Sequence, residues 1–286
     1  MDPYDGPAVE TLHTYGDTQG GSILSLLLEN LQDPSPRARA LAAREVADYT
    51  LTVAVDRLLE IAEQDPEIEV RCAAIRGLGN YMYLGSLSDY DLQTDEKSGC
   101  QEDCLTDDDF QRVYDFLVGV AGDEQRTLDE KRFAVESLSF SGDETAETLI
   151  VELYARPEKE AKISAFVAMG ASGAERWVEI LRQELANPDP DLRVEAIHAA
   201  GDLGLDNLGK DLWELTFDDE HEIALSAIWA LGQTGWDGAF ERLDELTLHA
   251  NQEISDCADE AMEEWLFYNG LSPDHDDDDM DLFLGE

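Results

Sequence analysis

The chain has 286 residues, 43% of them apolar, which is enough to bury a sizeable core and excludes disorder throughout. Its 19 Lys and Arg stand against 66 Asp and Glu, a net charge of −47 that repels phosphate backbones and anionic membrane surfaces and favours basic partners. Four cysteines are too few for a disulfide scaffold, and the first residues lack the basic and apolar regions of a signal peptide, so a reducing cytoplasm is the expected compartment.

A charge of this size strains a compact state at ordinary ionic strength, whereas at about molar salt the screening length falls to roughly 3 Å and the repulsion largely disappears. The expectation is adaptation to a saline cytoplasm, with a halophilic, archaeal source. Lysine is scarce, with five in the chain, and most of the positive charge is arginine.

Residues 1–21 are rich in Gly, Asp, Thr and Pro without periodicity and read as a disordered tail. Ser22 is the expected N-cap of a helix carrying Ile23, Leu26, Leu27 and Leu31, ended by Asp33-Pro34. The same step recurs at Asp65-Pro66 and Asn187-Pro188, each with an arginine five residues beyond the proline: Arg39, Arg71 and Arg193. Asp or Asn caps the coming helix and Pro fits its first turn.

From Glu130 to Glu263 a period of thirty-one residues can be followed through Ala134, Ala165, Ala196, Ala227 and Ala258. Four positions along come Leu138, Met169, Ala200, Leu231 and Met262, and one further Ser139, Gly170, Gly201, Gly232 and Glu263. Such a period is the signature of stacked repeats, each burying its apolar face against its neighbours. Each unit is expected to be two antiparallel helices, with helix A ending near a glycine suited to the left-handed conformation. The A helices are placed at 35–48, 67–82, 127–140, 159–171, 190–203, 220–233 and 252–267. The B helices fall at 22–32, 51–64, 107–121, 144–155, 174–186, 206–217 and 237–249.

The register breaks between Tyr81 and Asp109, an insertion inside the second repeat of the 22–267 solenoid and long enough to suggest a functional loop. Trp265, Phe267 and Tyr268 read as the cap of the last repeat. Residues 268–286 form an acidic tail in which Met280, Leu282, Phe283 and Leu284 follow four aspartates, either a solvated end or a peptide that folds onto a partner.

The segments RCAAIRGLGN, DLRVEAIHAAGDLG and IALSAIWALGQTG resemble HEAT repeats of the short type known from phycobilisome lyases, over about residues 22–267. The resemblance implies an all-α, right-handed α-solenoid of about seven helix pairs. It also implies a non-enzymatic scaffold or adaptor that holds a partner protein on the concave face, with signalling or motility assemblies as one setting. The alternative it leaves open is a lyase-like or assembly-factor role toward a partner bearing a prosthetic group. Function sits on sites rather than on the fold, so side chains must separate these.

Cys100 and Cys104 form a C-x3-C pair in the insertion; zinc, a disulfide or two plain thiols are all open, and no cofactor is expected. His221-Glu222 is similar to one of the His-Glu pairs of deoxyhypusine hydroxylase, but that di-iron enzyme needs four, so His221 reads as a solvated residue. His198, in a column with Glu136, Val167, Trp229 and Glu260, reads as half exposed. Arg39, Arg71, Lys131, Lys162 and Arg193 are expected to bridge repeats through acids such as Asp33, Asp65 and Asp189, in exposed pairs worth roughly 0.2–1 kcal/mol each. Trp177 aligns with Ala146, Leu208 and Ala239 and reads as core. Trp213 aligns with Val151, Arg182 and Asp244, which leaves a tryptophan facing solvent, and with Trp229 it is the expected anchor for a partner.

Overall fold

The computed structural model describes residues 20–86 and 105–269. Within them the chain is all-helical and forms two compact units, the first ending at Leu138 and the second starting at Ser139. Unit 1 holds α1 (Gly20–Asn30), α2 (Pro36–Val46), α3 (Thr52–Gln64), α4 (Ile68–Ser86), α5 (Asp107–Gly122) and α6 (Leu128–Leu138). Unit 2 opens with a 3-10 turn (Ser139–Ser141), then α7 (Glu144–Tyr154) and α8 (Lys159–Ala171). A second 3-10 turn (Glu175–Trp177) leads into α9 (Val178–Glu184), α10 (Pro190–Leu203), α11 (Asp206–Leu215), α12 (His221–Gly232), α13 (Gly238–Thr247) and α14 (Gln252–Tyr268).

Even-numbered helices are the A helices of the sequence pattern and odd-numbered ones the B helices. In unit 1 α2 packs on α4 and α4 on α6; in unit 2 α8, α10, α12 and α14 pack in series. Each B helix also packs on the A helix that follows it, as α7 does on α8 and α13 on α14. This two-layer stacking is that of an α-solenoid.

The periodic columns have physical causes. Ala134, Ala165, Ala196, Ala227 and Ala258 are all 0% exposed, the smallest side chain at the point where each A helix meets the core. The glycine column sets how closely A helices approach. A Cβ at Gly201 would lie 2.9 Å from the Ala230 Cα, and one at Gly232 would lie 2.5 Å from the Ala261 carbonyl oxygen. Three further glycines one period apart, Gly142, Gly173 and Gly204, turn the chain out of an A position at φ of 62°, the left-handed conformation expected there.

The loops before A helices repeat as well. Oδ1 of Asp33, Asp65, Asn187 and Asp218 accepts a hydrogen bond from the backbone N–H two residues on, at 2.7–2.9 Å. Ser22, expected as an N-cap, lies inside α1 instead, because the helix already starts at Gly20. Likewise α4 runs past Tyr81 to Ser86, since Tyr81 is fully buried and donates its hydroxyl to the Tyr49 carbonyl at 3.0 Å.

The arginine column does bridge repeats, Arg39 through the expected Asp65 and Arg71 and Arg193 through other acids, and deeper than expected. Arg39 gives Nε and Nη2 to both Asp65 oxygens and Nη1 to the Asp33 carbonyl. Arg71 pairs with Glu130 at 2.7 Å and also donates to the Asp65 carbonyl. Arg193 pairs with Asp218, and Asp189 takes Lys159 instead. The Asp65 and Glu130 side chains are 4% and 1% exposed, so the estimate for exposed pairs does not apply to them.

Candidate protein-interaction surfaces

Trp177 is core, 1% exposed, with its indole N–H donated to Ser172 Oγ at 2.8 Å. Trp213 on α11 is half-buried, less open to solvent than its column implied, and meets Phe217 edge-on with ring centroids 4.8 Å apart. Phe217 is 53% exposed. Its other neighbour is Arg242, whose guanidinium lies 3.6 Å from the ring centroid while Nε donates to Thr216 Oγ1 and Nη1 to Glu245. A cleft of about 480 Å³ beside Phe217 is lined by Asp219, His221, Arg242, Leu246 and His249. One period after Phe217, Leu248 is 86% exposed.

The second surface lies on α12 and α14. Trp229 is half-buried, and His198 meets it edge-on at 5.4 Å while its Nε2 stands 3.2 Å from Ser226 Oγ. Trp229 lines a cleft of about 550 Å³ with Cys257, Glu260, Glu263, Glu264 and Phe267. Helix α14 carries six carboxylates and no Lys or Arg. Burial first, and then the charge of Glu260, push the Cys257 thiol up to about 11. Trp265 is buried as a cap should be, but Phe267 and Tyr268 are 75% and 60% exposed. Residue 267 lies about 200° around the helix from 265, away from the core-facing stripe of Ala258, Ala261 and Trp265, whereas 268 lies beside that stripe but is the last residue of the helix. Helical spacing of Glu260, Glu264 and Phe267, at i, i+4 and i+7, was the signal in the sequence that places Phe267 on the open face.

His221 is exposed at the start of α12 and bonds Glu253 at 2.8 Å, with no second His-Glu pair beside it among the described residues. Cys72 is buried and its thiol is likewise pushed up to about 11, by burial and then by Glu130. Among the described residues no cluster of three or more His, Cys, Asp or Glu side chains is arranged to hold a metal, and no helix is long and apolar enough to cross a membrane. Cys100, Cys104, Met280, Leu282 and Phe283 lie outside the described residues.

Residues 8–91 match the HEAT repeats family. No curated protein matches the chain. Among solved structures, the complex of CpcE and CpcF of phycocyanin lyase from Nostoc sp. PCC7120 is similar at 20% identity and a TM-score of 0.52, over 93% of this chain and 97% of that one. Importin beta is similar at 13% identity and a TM-score of 0.53, over 91% of this chain and 37% of its own. At such identities the likeness is one of fold: a HEAT/armadillo-like helical solenoid.

Proposed function

We propose that the chain is a non-enzymatic scaffold that holds a partner protein, with Trp213 and Phe217 on the α11 side of unit 2 as its hydrophobic anchor. The observation that carries this reading is the accessible aromatic pair itself. Equivalent positions one period either side of Trp213 hold Arg182 and Asp244, so the stack does not require an aromatic there. Aromatic anchors in partly open pockets dominate the energetics of protein interfaces, and stacked repeats supply extended surfaces to display them.

Recovery of partners from native lysate at high salt, with Trp213→Ala and Phe217→Ala beside the unaltered chain, tests the reading. Either substitution should cut recovery several-fold with a small change in melting temperature. Unchanged recovery together with a large loss of stability would mark both rings as core residues and end the proposal.

A further inference from the structure

The scaffold reading leaves the cleft on α12 and α14 without a role, and its chemistry differs from that of the Trp213 side. Several rings elsewhere in the protein carry one of the chain's own cations. Arg132 and Arg76 lie over Phe133, Lys162 over Tyr154, Arg176 over Trp177 and Arg242 over Phe217, at 3.6–5.4 Å from the centroids. Arg242 and Arg176 complete the pattern by pairing with Glu245 and Glu147. At Trp229 and Phe267 the rings and the carboxylates of Glu260, Glu263 and Glu264 are present, but among the described residues no Lys or Arg stands over either ring or pairs with any of the three acids.

We propose that this cleft binds an arginine-bearing segment of a partner protein, the guanidinium entering between Trp229 and Phe267 and bonding Glu260 or Glu264. The inference rests on the reading of the chain as a protein-binding scaffold, but on the other helix layer and on other residues. A guanidinium fits better than an ammonium because it is planar, weakly hydrated and able to stack and to bond a carboxylate through two N–H groups at once. About 550 Å³ accommodates a side chain with its flanking backbone. Charge selects against the other occupants: a second copy brings the same net charge of −47, and the chain's own residues 270–286 bring seven acids and no Lys or Arg.

The test is calorimetric titration of the full chain with a capped glycine-spaced peptide bearing two arginines, beside its lysine and glutamine counterparts. The arginine peptide should bind tightest and the glutamine peptide not at all. Phe267→Leu and the pair Glu260→Gln/Glu264→Gln should each weaken binding at least fivefold without moving the melting temperature. The pair Glu152→Gln/Glu175→Gln, which removes the same charge from exposed sites on α7 and the turn before α9, should change it less than twofold. Equal weakening by both charge pairs means diffuse attraction to an acidic surface and overturns the proposal. So does an unaffected Phe267→Leu variant, or self-association that Phe267→Leu abolishes while arginine and glutamine peptides bind alike. None of these outcomes touches the Trp213 and Phe217 reading, whose failure would appear only in partner recovery.

Discussion

Glu130 is 1% exposed, yet its carboxylate is fully engaged: it accepts from Arg71, Arg126 and both the backbone N–H and the hydroxyl of Thr127. Burial alone would push its carboxyl up; the bonds from Arg71, Thr127 and Arg126 together outweigh burial and hold it at about 2. A folded value below the unfolded one stabilises the fold above the unfolded value of about 4.5, and that stability is lost as pH falls from there toward 2. The gap corresponds to a few kcal/mol. Glu130→Gln should therefore destabilise unit 1 by about 3 kcal/mol, since it removes the buried acid that half-buried Arg71 and Arg126 share, leaving Arg126 with Glu63 and Arg71 with backbone carbonyls. It should also flatten the acid limb of stability between pH 5 and pH 2, followed by hydrogen exchange in α4 and α6. An unaltered acid limb would show that Glu130 is not the group being titrated. Cys257 gives a second test at this scale. With its thiol near 11, on the order of one molecule in a thousand is thiolate at pH 8, so iodoacetamide should leave Cys257 unlabelled until the protein is denatured. Prompt labelling of its peptide in the folded protein would contradict the burial that sets the shift.

Between elements, the approach of consecutive A helices is set by single atoms. At Gly232 an added Cβ meets backbone of α14, which cannot swing aside as a side chain can, so Gly232→Ala should lose about 1–3 kcal/mol in urea unfolding. Gly119 provides the control: it is exposed within α5 with nothing within 4 Å of an added Cβ, and Gly119→Ala should gain about 0.5–1 kcal/mol from helix propensity alone. If both substitutions act alike, helix propensity rather than close approach explains the glycine column. These contacts also explain why the stacking was legible in the sequence. A helix that must touch its neighbour through Ala and Gly at fixed spacing leaves a period of thirty-one residues that survives every change on its outer face. The buried ion pairs were legible only in half, because the register fixed Arg71 but its acid, Glu130, lies beyond the insertion. The clefts were less legible still. Trp213 and Trp229 stand out as large residues in mixed columns, whereas Phe217 depends on which side of a helix end stays uncovered, and Phe267 reads as a cap unless its helical spacing from Glu260 and Glu264 is followed.

Across the whole molecule the sign of the salt effect follows from the charge inventory. The Arg39–Asp65 and Arg71–Glu130 pairs lie largely out of solvent and are little screened by salt, so adding salt takes little from them. Most of the other carboxylates have no cation to meet, because 66 acids share 19 basic residues. Relief of their mutual repulsion therefore outweighs the weakening of surface pairs, and the melting temperature should rise from 0.1 M to 2 M KCl. A flat or falling curve would mean that the excess charge is tolerated without screening and would remove the argument for adaptation to a saline cytoplasm. The proposed arginine cleft should respond with the opposite slope, since the same ions that quiet repulsion within the fold also screen Glu260 and Glu264 from an incoming guanidinium. The part of peptide affinity that survives at 2 M KCl then measures what the rings of Trp229 and Phe267 contribute. In Phe267→Leu that residue of affinity should be the part most reduced, because ring contact is far less sensitive to screening than charge attraction.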